Sequence, residues 1–413
     1  MVSIFVGSGA GFARGSGATL GGSGVLGSAV QGRSGEGVSV NAATGNLLIT
    51  QQDDFLVGRG PDSAVSRTYN SLAQVSDDNG DQWRFGSQRR LANWTGVANT
   101  AGATVDRVGE DGSVITYTYD VGLGYYRATD GAGAHDKIVN VGHWIWTDGD
   151  TQASEVYDIG GVLINTTDTD GNSLSFSYHM HNGSWRLSRA TTSNGEYQDY
   201  IWSGENVSQI VTGYTDLASG TPKTLTRTRY AYDGQNRLVQ VTVDLSPEDN
   251  SVADGRTYVT TYTYDGSSKR VASITQTDGS SLAIAYDASG RVTTLTQIVA
   301  AGDVRVTRIG YGVNVASVTG PNDQVTRLWY DNKKQLVQLM SPPATKGGVS
   351  QVLQYEYDAS GNLIRTIETD SVNASIPANL VNAAGWGDGE VAGCQTAFKR
   401  DPRSASKRDP LFG

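Results

Sequence analysis

His179 and His181 stand two apart in a stretch that reads as a strand, so both rings point the same way, a spacing a metal ion can use. The chain has only four histidines and no third ligand nearby in sequence, and Met180 lies between the pair, so they read as the end of an ordinary hairpin. His135 and His143 read as loop or edge residues. Two acidic runs, Asp77-Asp78-Asn79-Gly80-Asp81 and Asp168-Thr169-Asp170-Gly171-Asn172, place oxygen ligands around a glycine as calcium loops do. Neither has the distal glutamate of such a loop, and Asp-Gly and Asn-Gly are common hairpin turns, so both are expected to be turn tips. Trp144 and Trp146 share one face of a short strand close in sequence to Tyr125 and Tyr126; a core or inter-strand packing role is the first expectation, and an exposed aromatic face there could instead stack on a sugar ring. Trp83 and Trp94 lie further upstream. The single Cys394 can form neither an internal disulfide nor a zinc site. There is no Gly-rich phosphate loop ending in Lys-Ser/Thr, no His-Glu-x-x-His, no Gly-x-Ser-x-Gly and no Cys-x-x-Cys, so no catalytic residue, cofactor or metal site is expected.

The elements that would position these residues are strands. Glycine is abundant at 52, proline scarce at 9, and 20 tyrosines outnumber 7 phenylalanines, which suits many short strands joined by glycine turns and suits helices poorly. A net charge of -10 argues against a nucleic-acid or anionic-membrane surface, which needs a basic stripe. No run of about 18 apolar residues is present, so no membrane span is expected. The start of the chain lacks the charged opening and sustained apolar core of a secretory signal, despite the run from Val2 to Val6.

Self-similarity is the strongest signal. Tyr232-Asp233-Gly234-Gln235-Asn236-Arg237-Leu238, Tyr286-Asp287-Ala288-Ser289-Gly290-Arg291-Val292 and Tyr357-Asp358-Ala359-Ser360-Gly361-Asn362-Leu363 repeat one pattern. Weaker copies begin at Tyr119, Tyr157, Tyr264-Asp265 and Tyr330-Asp331, and degenerate ones at Tyr178, Trp202 and Tyr311, spaced roughly 20 to 30 residues apart. Within a copy, Tyr355 and Tyr357 share a face opposite Glu356, Asp358 starts the turn, and Gly361 or Asn362 can adopt the left-handed conformation. The tyrosines and aspartates therefore define the repeat structurally and are not catalytic. Each hairpin is too small to stand alone, so neighbouring copies should pair edge to edge and align their tyrosines into a ladder.

These residues resemble the YD-repeat, or Rhs-type, proteins, which include bacterial polymorphic-toxin shells and the animal teneurins. Upstream, Asn41-Ala42-Ala43-Thr44-Gly45-Asn46-Leu47, Gly60-Pro61-Asp62 and Arg67-Thr68-Tyr69-Asn70-Ser71 are similar to the segment that opens the repeat core in bacterial members. The resemblance implies an all-β fold, an antiparallel β-hairpin array coiling as a spiral strip that in toxin members encloses an effector. The family's closing segment, with its self-cleavage site and acidic catalytic residues, has no counterpart here, because Asp401-Pro402-Arg403 lacks the glycine; an incomplete array is expected.

Four segments follow. Residues 1–37 read as a flexible Gly/Ser-rich segment, 38–109 as the core-opening β segment, 110–370 as the hairpin array, and 371–413 as a non-repeat tail, disordered or truncated. The function expected is a structural scaffold of a secreted or cell-surface bacterial protein, part of a shell or stalk associated with a toxin effector. A carbohydrate-binding adhesion module using Trp144 and Trp146 is the alternative, and toxin activity in the tail is the third. Partners would be an encapsulated effector segment, glycans, or a second copy joined through open sheet edges.

Overall fold

The computed structural model describes residues 3–7, 11–12, 30–31, 35–56, 63–73, 79–128, 135–216, 218–300, 302–359 and 361–374. Two strand systems make up the fold. The first is an inner sheet of six strands, Ser3–Phe5, Val30–Gln31, Glu36–Asn41, Leu47–Leu56, Ser63–Asn70 and Trp83–Phe85. The second is a strip of 24 strands running from Arg90–Thr95 to Leu363–Asp370, in which consecutive strands pair antiparallel. Among the described residues no register joins the last strand to the first, so the strip is open. It coils back on itself where Leu91 N–H donates to Gly161 O at 2.9 Å and Arg90 bridges Val162.

The two systems differ in patterning because they differ in surroundings. Strip strands alternate; in Ser281–Tyr286, Leu282 and Ile284 are buried while Ala283 and Ala285 are exposed. Strands of the inner sheet are buried almost throughout, as in Glu36–Asn41 and Trp83–Phe85, because the strip wraps around them. Phe85 packs on Tyr200 and Tyr230, with ring centroids 5.7 and 5.6 Å away, and Trp83 lies 4.9 Å from Tyr262. One hydrophobic core joins both systems.

Two segment boundaries differ from the sequence reading. Residues 1–37 are not uniformly a linker: Ser3–Phe5 pairs in parallel with the residues 39–41, and Ile4, Phe5 and Val6 are buried. Three residues suffice because a short apolar run needs only one strand partner and a covered face. The strip also begins at Arg90, not near residue 110; residues 90–108 carry no Tyr-Asp signature, yet their ladder continues into Val114–Asp120. The short 3-10 turn Gly86–Gln88 separates the two systems. The tail from residue 375 onward, with Cys394, lies outside the described residues. No helix among the described residues is long and apolar enough to cross a membrane.

Candidate functional site: where the inner sheet meets the repeats

Each repeat is built by its aspartate. The N–H of Asp158, Asp233, Asp287, Asp331 and Asp358 donates to the carbonyl four residues on, at 2.9 to 3.0 Å. Their Oδ1 atoms accept the N–H of that same residue, Val162, Arg237, Arg291, Gln335 and Asn362, at 2.8 to 3.0 Å. The third residue after the aspartate has positive φ in every case: Gly161, Asn236, Gly290, Lys334 and Gly361. A turn of this kind places one extra residue on the returning strand, and the ladder registers it as a bulge. The bulge falls at the tyrosine in Tyr232, Tyr264, Tyr286, Tyr330 and Tyr357, which face Leu238, Val271, Val292, Leu336 and Leu363. Asp265 spans one residue more, donating to Arg270 O at 2.8 Å.

The tyrosine couples one repeat to the one before it. Its hydroxyl donates to the carbonyl of the preceding aliphatic residue: Tyr264 to Leu238 at 2.6 Å, Tyr286 to Val271 at 2.7 Å, Tyr311 to Val292 at 2.5 Å and Tyr357 to Leu336 at 2.8 Å. Trp202 does the same through Nε1 to Leu187 O at 2.7 Å, which explains why a tryptophan can stand at that position. The arginine before the aliphatic residue covers the next ring: Arg237 over Tyr264, Arg270 over Tyr286 and Arg291 over Tyr311, at 4.6, 5.6 and 4.4 Å. Arg237 and Arg291 also pair with the aspartate of their own turn at 2.8 and 2.7 Å. Replacing Tyr286 with phenylalanine keeps the packing and removes one buried donor, so it should lower the unfolding free energy by about 1 kcal/mol. Urea titration followed by circular dichroism checks this, and an unchanged midpoint would show that the hydroxyl bond adds nothing to the coupling.

The inner sheet grips the same positions. The N–H of Leu238, Val271 and Val292, equivalent residues of three successive repeats, donates to Asp81 Oδ2 at 3.0 Å, Tyr69 Oη at 3.2 Å and Gly45 O at 3.1 Å. Gly45 has φ +78°, and a Cβ there would stand 2.2 Å from Arg291 Cβ, so the close approach requires glycine. Asn46 Oδ1 accepts Ser71 Oγ at 2.8 Å and Leu72 N–H at 3.0 Å, and Asn70 reaches Asp111 O at 2.9 Å. The core-opening motif and the repeat motif are thus two halves of one interface.

A charged cluster lies at its centre. Arg67 donates from Nε and Nη2 to Asp53 at 2.8 and 3.1 Å, and from both Nη atoms to Tyr262 Oη at 3.2 Å. Its guanidinium sits 4.3 Å over the Trp83 ring. Tyr230 donates to Asp53 Oδ2 at 2.8 Å, Tyr262 donates to Glu36, and Thr228 donates to Asp53 O at 2.8 Å. All these groups are buried. Burial raises the Glu36 carboxyl to about 7, against the lowering pull of Arg67 and of Tyr262. Burial likewise pushes the Tyr230 and Tyr262 hydroxyls far up, so both remain donors. Glu36 and Asp53 were missed by the sequence reading: Glu36 lies between glycines, which look like linker, and Asp53 is one of two adjacent aspartates with no motif around it. Arg67 was noted only as part of the opening motif.

A second cluster holds the strip's beginning. Glu155 takes Arg107 at 2.8 Å and Arg89 at 2.6 Å, and also the Tyr157 hydroxyl. Burial raises the Glu155 carboxyl, but Arg107 and Arg89 together hold it below the usual range. Arg107 lies 3.7 Å over the Trp146 ring, whose Nε1 donates to Tyr117 Oη at 3.1 Å.

Trp144 and Trp146 therefore share a face, but not an exposed one. They are 3% and 7% exposed, with Trp144 against Tyr126 and Trp94 and Trp146 under Arg107, so neither ring is free to stack on a sugar. Alternation told which residues share a face and was silent on what covers it. His179 and His181 have rings 5.8 Å apart, and His181 Nε2 lies 2.7 Å from Gly204 O. Asp168 spends its carboxylate on its own turn, accepting Asp170 and Asn172 N–H at 2.9 Å. In the other acidic run, Asp77 and Asp78 lie outside the described residues, while Asp81 serves the interface.

Two family models match the sequence: Teneurin YD-shell over residues 219–375 and Domain of unknown function (DUF6531) over residues 37–117. No curated protein matches. Among solved structures, TcdB2-TccC3 without its hypervariable C-terminal region and a Photorhabdus luminescens Tc holotoxin pore each align at 12% identity with a TM-score of 0.32. Either alignment covers 78% of this chain and 22% of the other, so the chain spans about a fifth of the length of these proteins. The family models fall on the two halves of the interface, and with the recurring Tyr-Asp hairpin they identify the chain as a YD-repeat protein of the Rhs type.

Proposed function

We propose that the chain is a non-catalytic scaffold, a segment of shell whose inner sheet fixes the path of the strip, belonging to a secreted or cell-surface assembly that encloses a toxin effector. The observation that carries this reading is the bonding of three successive repeats, at Leu238, Val271 and Val292, to the inner sheet. Such bonds impose one curvature on a strip that its own local pairing would leave free. Every polar group of the Glu36, Asp53 and Arg67 cluster points to another protein group, an arrangement that holds elements together. A carbohydrate-binding role loses its support with the burial of Trp144 and Trp146.

Produced together with the polypeptide encoded beside it, the full chain should slow tryptic cleavage of that polypeptide by at least about tenfold, because enclosed segments are cut only when the shell opens. Cleavage at the rate of the free polypeptide would overturn the proposal. Light scattering on the same sample reports whether the open edge at Leu363–Asp370 joins a second copy.

A further inference from the structure

A cavity of about 150 Å³ lies between the turn Gly86–Gln88, the first strip strand and the hairpin formed by Ser173–His181 and Ser184–Thr192. Four arginines line it, Arg84, Arg89, Arg90 and Arg186, beside the aromatic wall of Trp202. Trp185 stands at its mouth, 63% exposed, on the same strand face as the buried Leu187 two residues on. In a chain of net charge -10 this is a local concentration of guanidinium groups.

The bonding of Arg89 and Arg186 is incomplete. Arg89 reaches Glu155 through Nη1 at 2.6 Å, a carboxylate that it shares with Arg107. Arg186 pairs with Glu205 through Nη2 and lies 5.2 Å over the Trp202 ring. In both residues the Nε–H is withdrawn from solvent and has no acceptor among the described residues. A buried donor without a partner is costly, and a planar carboxylate is the acceptor that guanidinium forks match best.

We propose that this pocket binds an acidic peptide, one carboxylate entering between Arg89 and Arg186 and an adjoining apolar side chain lying on Trp185. Phosphate would satisfy the arginines but leave the exposed indole unused. The choice of a peptide over other carboxylates rests on the scaffold reading, since the strand face carrying Trp185 is the face the strip turns inward.

Fluorescence anisotropy of a labelled Gly-Glu-Phe-Glu-Gly peptide with the full chain tests this. Saturable binding is expected, weakened on the order of tenfold by Arg186→Gln and also by Trp185→Ala, and weakened by added salt. Circular dichroism shows whether these variants remain folded, and Trp185→Ala, altering an exposed side chain, keeps the test open if Arg186→Gln does not fold. Arg365→Gln, a change at an exposed arginine on the last strand, should leave binding intact. Equal binding of the glutamine version of the peptide, equal loss in Arg365→Gln, or no loss in the folded pocket variants would overturn the proposal. So would displacement by inorganic phosphate or oligogalacturonate at concentrations equal to the peptide's. If peptide binding fails while the enclosed polypeptide stays protected from trypsin, the pocket alone falls and the scaffold stands.

Discussion

Replacing Arg67 with methionine is expected to destabilise the protein by about 3–5 kcal/mol, among the largest effects of any single substitution here. The methionine fills a similar volume under Trp83, so the cost is electrostatic. It leaves Asp53 without its bidentate partner and leaves Glu36 beside it, both in a site closed to water. Lysine should rescue poorly, because one ammonium cannot make the paired bonds to Asp53, hold the Tyr262 hydroxyl and lie flat on the indole at once. A triple variant with Asp53→Asn and Glu36→Gln added should recover part of the loss, since it removes the unpaired charges. The shift in urea midpoint, followed by circular dichroism, is the readout. A loss below about 1 kcal/mol for Arg67→Met would mean that water reaches the cluster.

Stability should fall as the pH is raised from about 5 through 7, and Glu36 is the cause. Its folded carboxyl is raised to about 7 from an ordinary value of 4.5, so between those limits the unfolded chain has lost a proton that the folded chain keeps. The folded state binds more protons, and the slope of stability against pH is therefore negative in that window. Below it both states are protonated and the penalty vanishes; above it the full penalty is felt, up to about 3 kcal/mol. Glu36→Gln should flatten the profile between pH 5 and 7 and raise the unfolding midpoint at pH 8. A wild-type midpoint that rises or stays level across that window, with Glu36→Gln matching it, would place the carboxyl at an ordinary value.

Much of this was written in the sequence. The Tyr-Asp hairpin, the left-handed turn position at Gly290 and Gly361, and the inward row of tyrosines follow from local chemistry and a period of two, because they depend on residues a few positions apart. What a face packs against depends on residues nearly two hundred positions away, and this is where the reading failed. Alternation puts Trp144 and Trp146 on one face, but that Tyr126, Trp94 and Arg107 cover the rings is not legible from it. Glu36 looked like linker because glycines flank it, although its carboxylate accepts the Tyr262 hydroxyl more than two hundred positions on. The motif residues Gly45, Tyr69 and Arg67 were recognised by resemblance, but their purpose became visible only when the strip was folded over them.

The bond from each tyrosine to the carbonyl of the preceding repeat has a consequence for how such chains change over generations. Because a hairpin is fastened to its predecessor by the strand ladder and by a hydroxyl and an arginine carried within the copied units, duplication or loss of a unit preserves every fastening except where the inner sheet intervenes. Array length is thus free to vary beyond Val292 and is constrained from Gln198 to Val292, where Ser63, Asp54, Asp81, Tyr69 and Gly45 each hold a strip residue. The inner sheet serves as a ruler for that stretch of the strip, and the strands after Val292 can be lengthened or shortened without it.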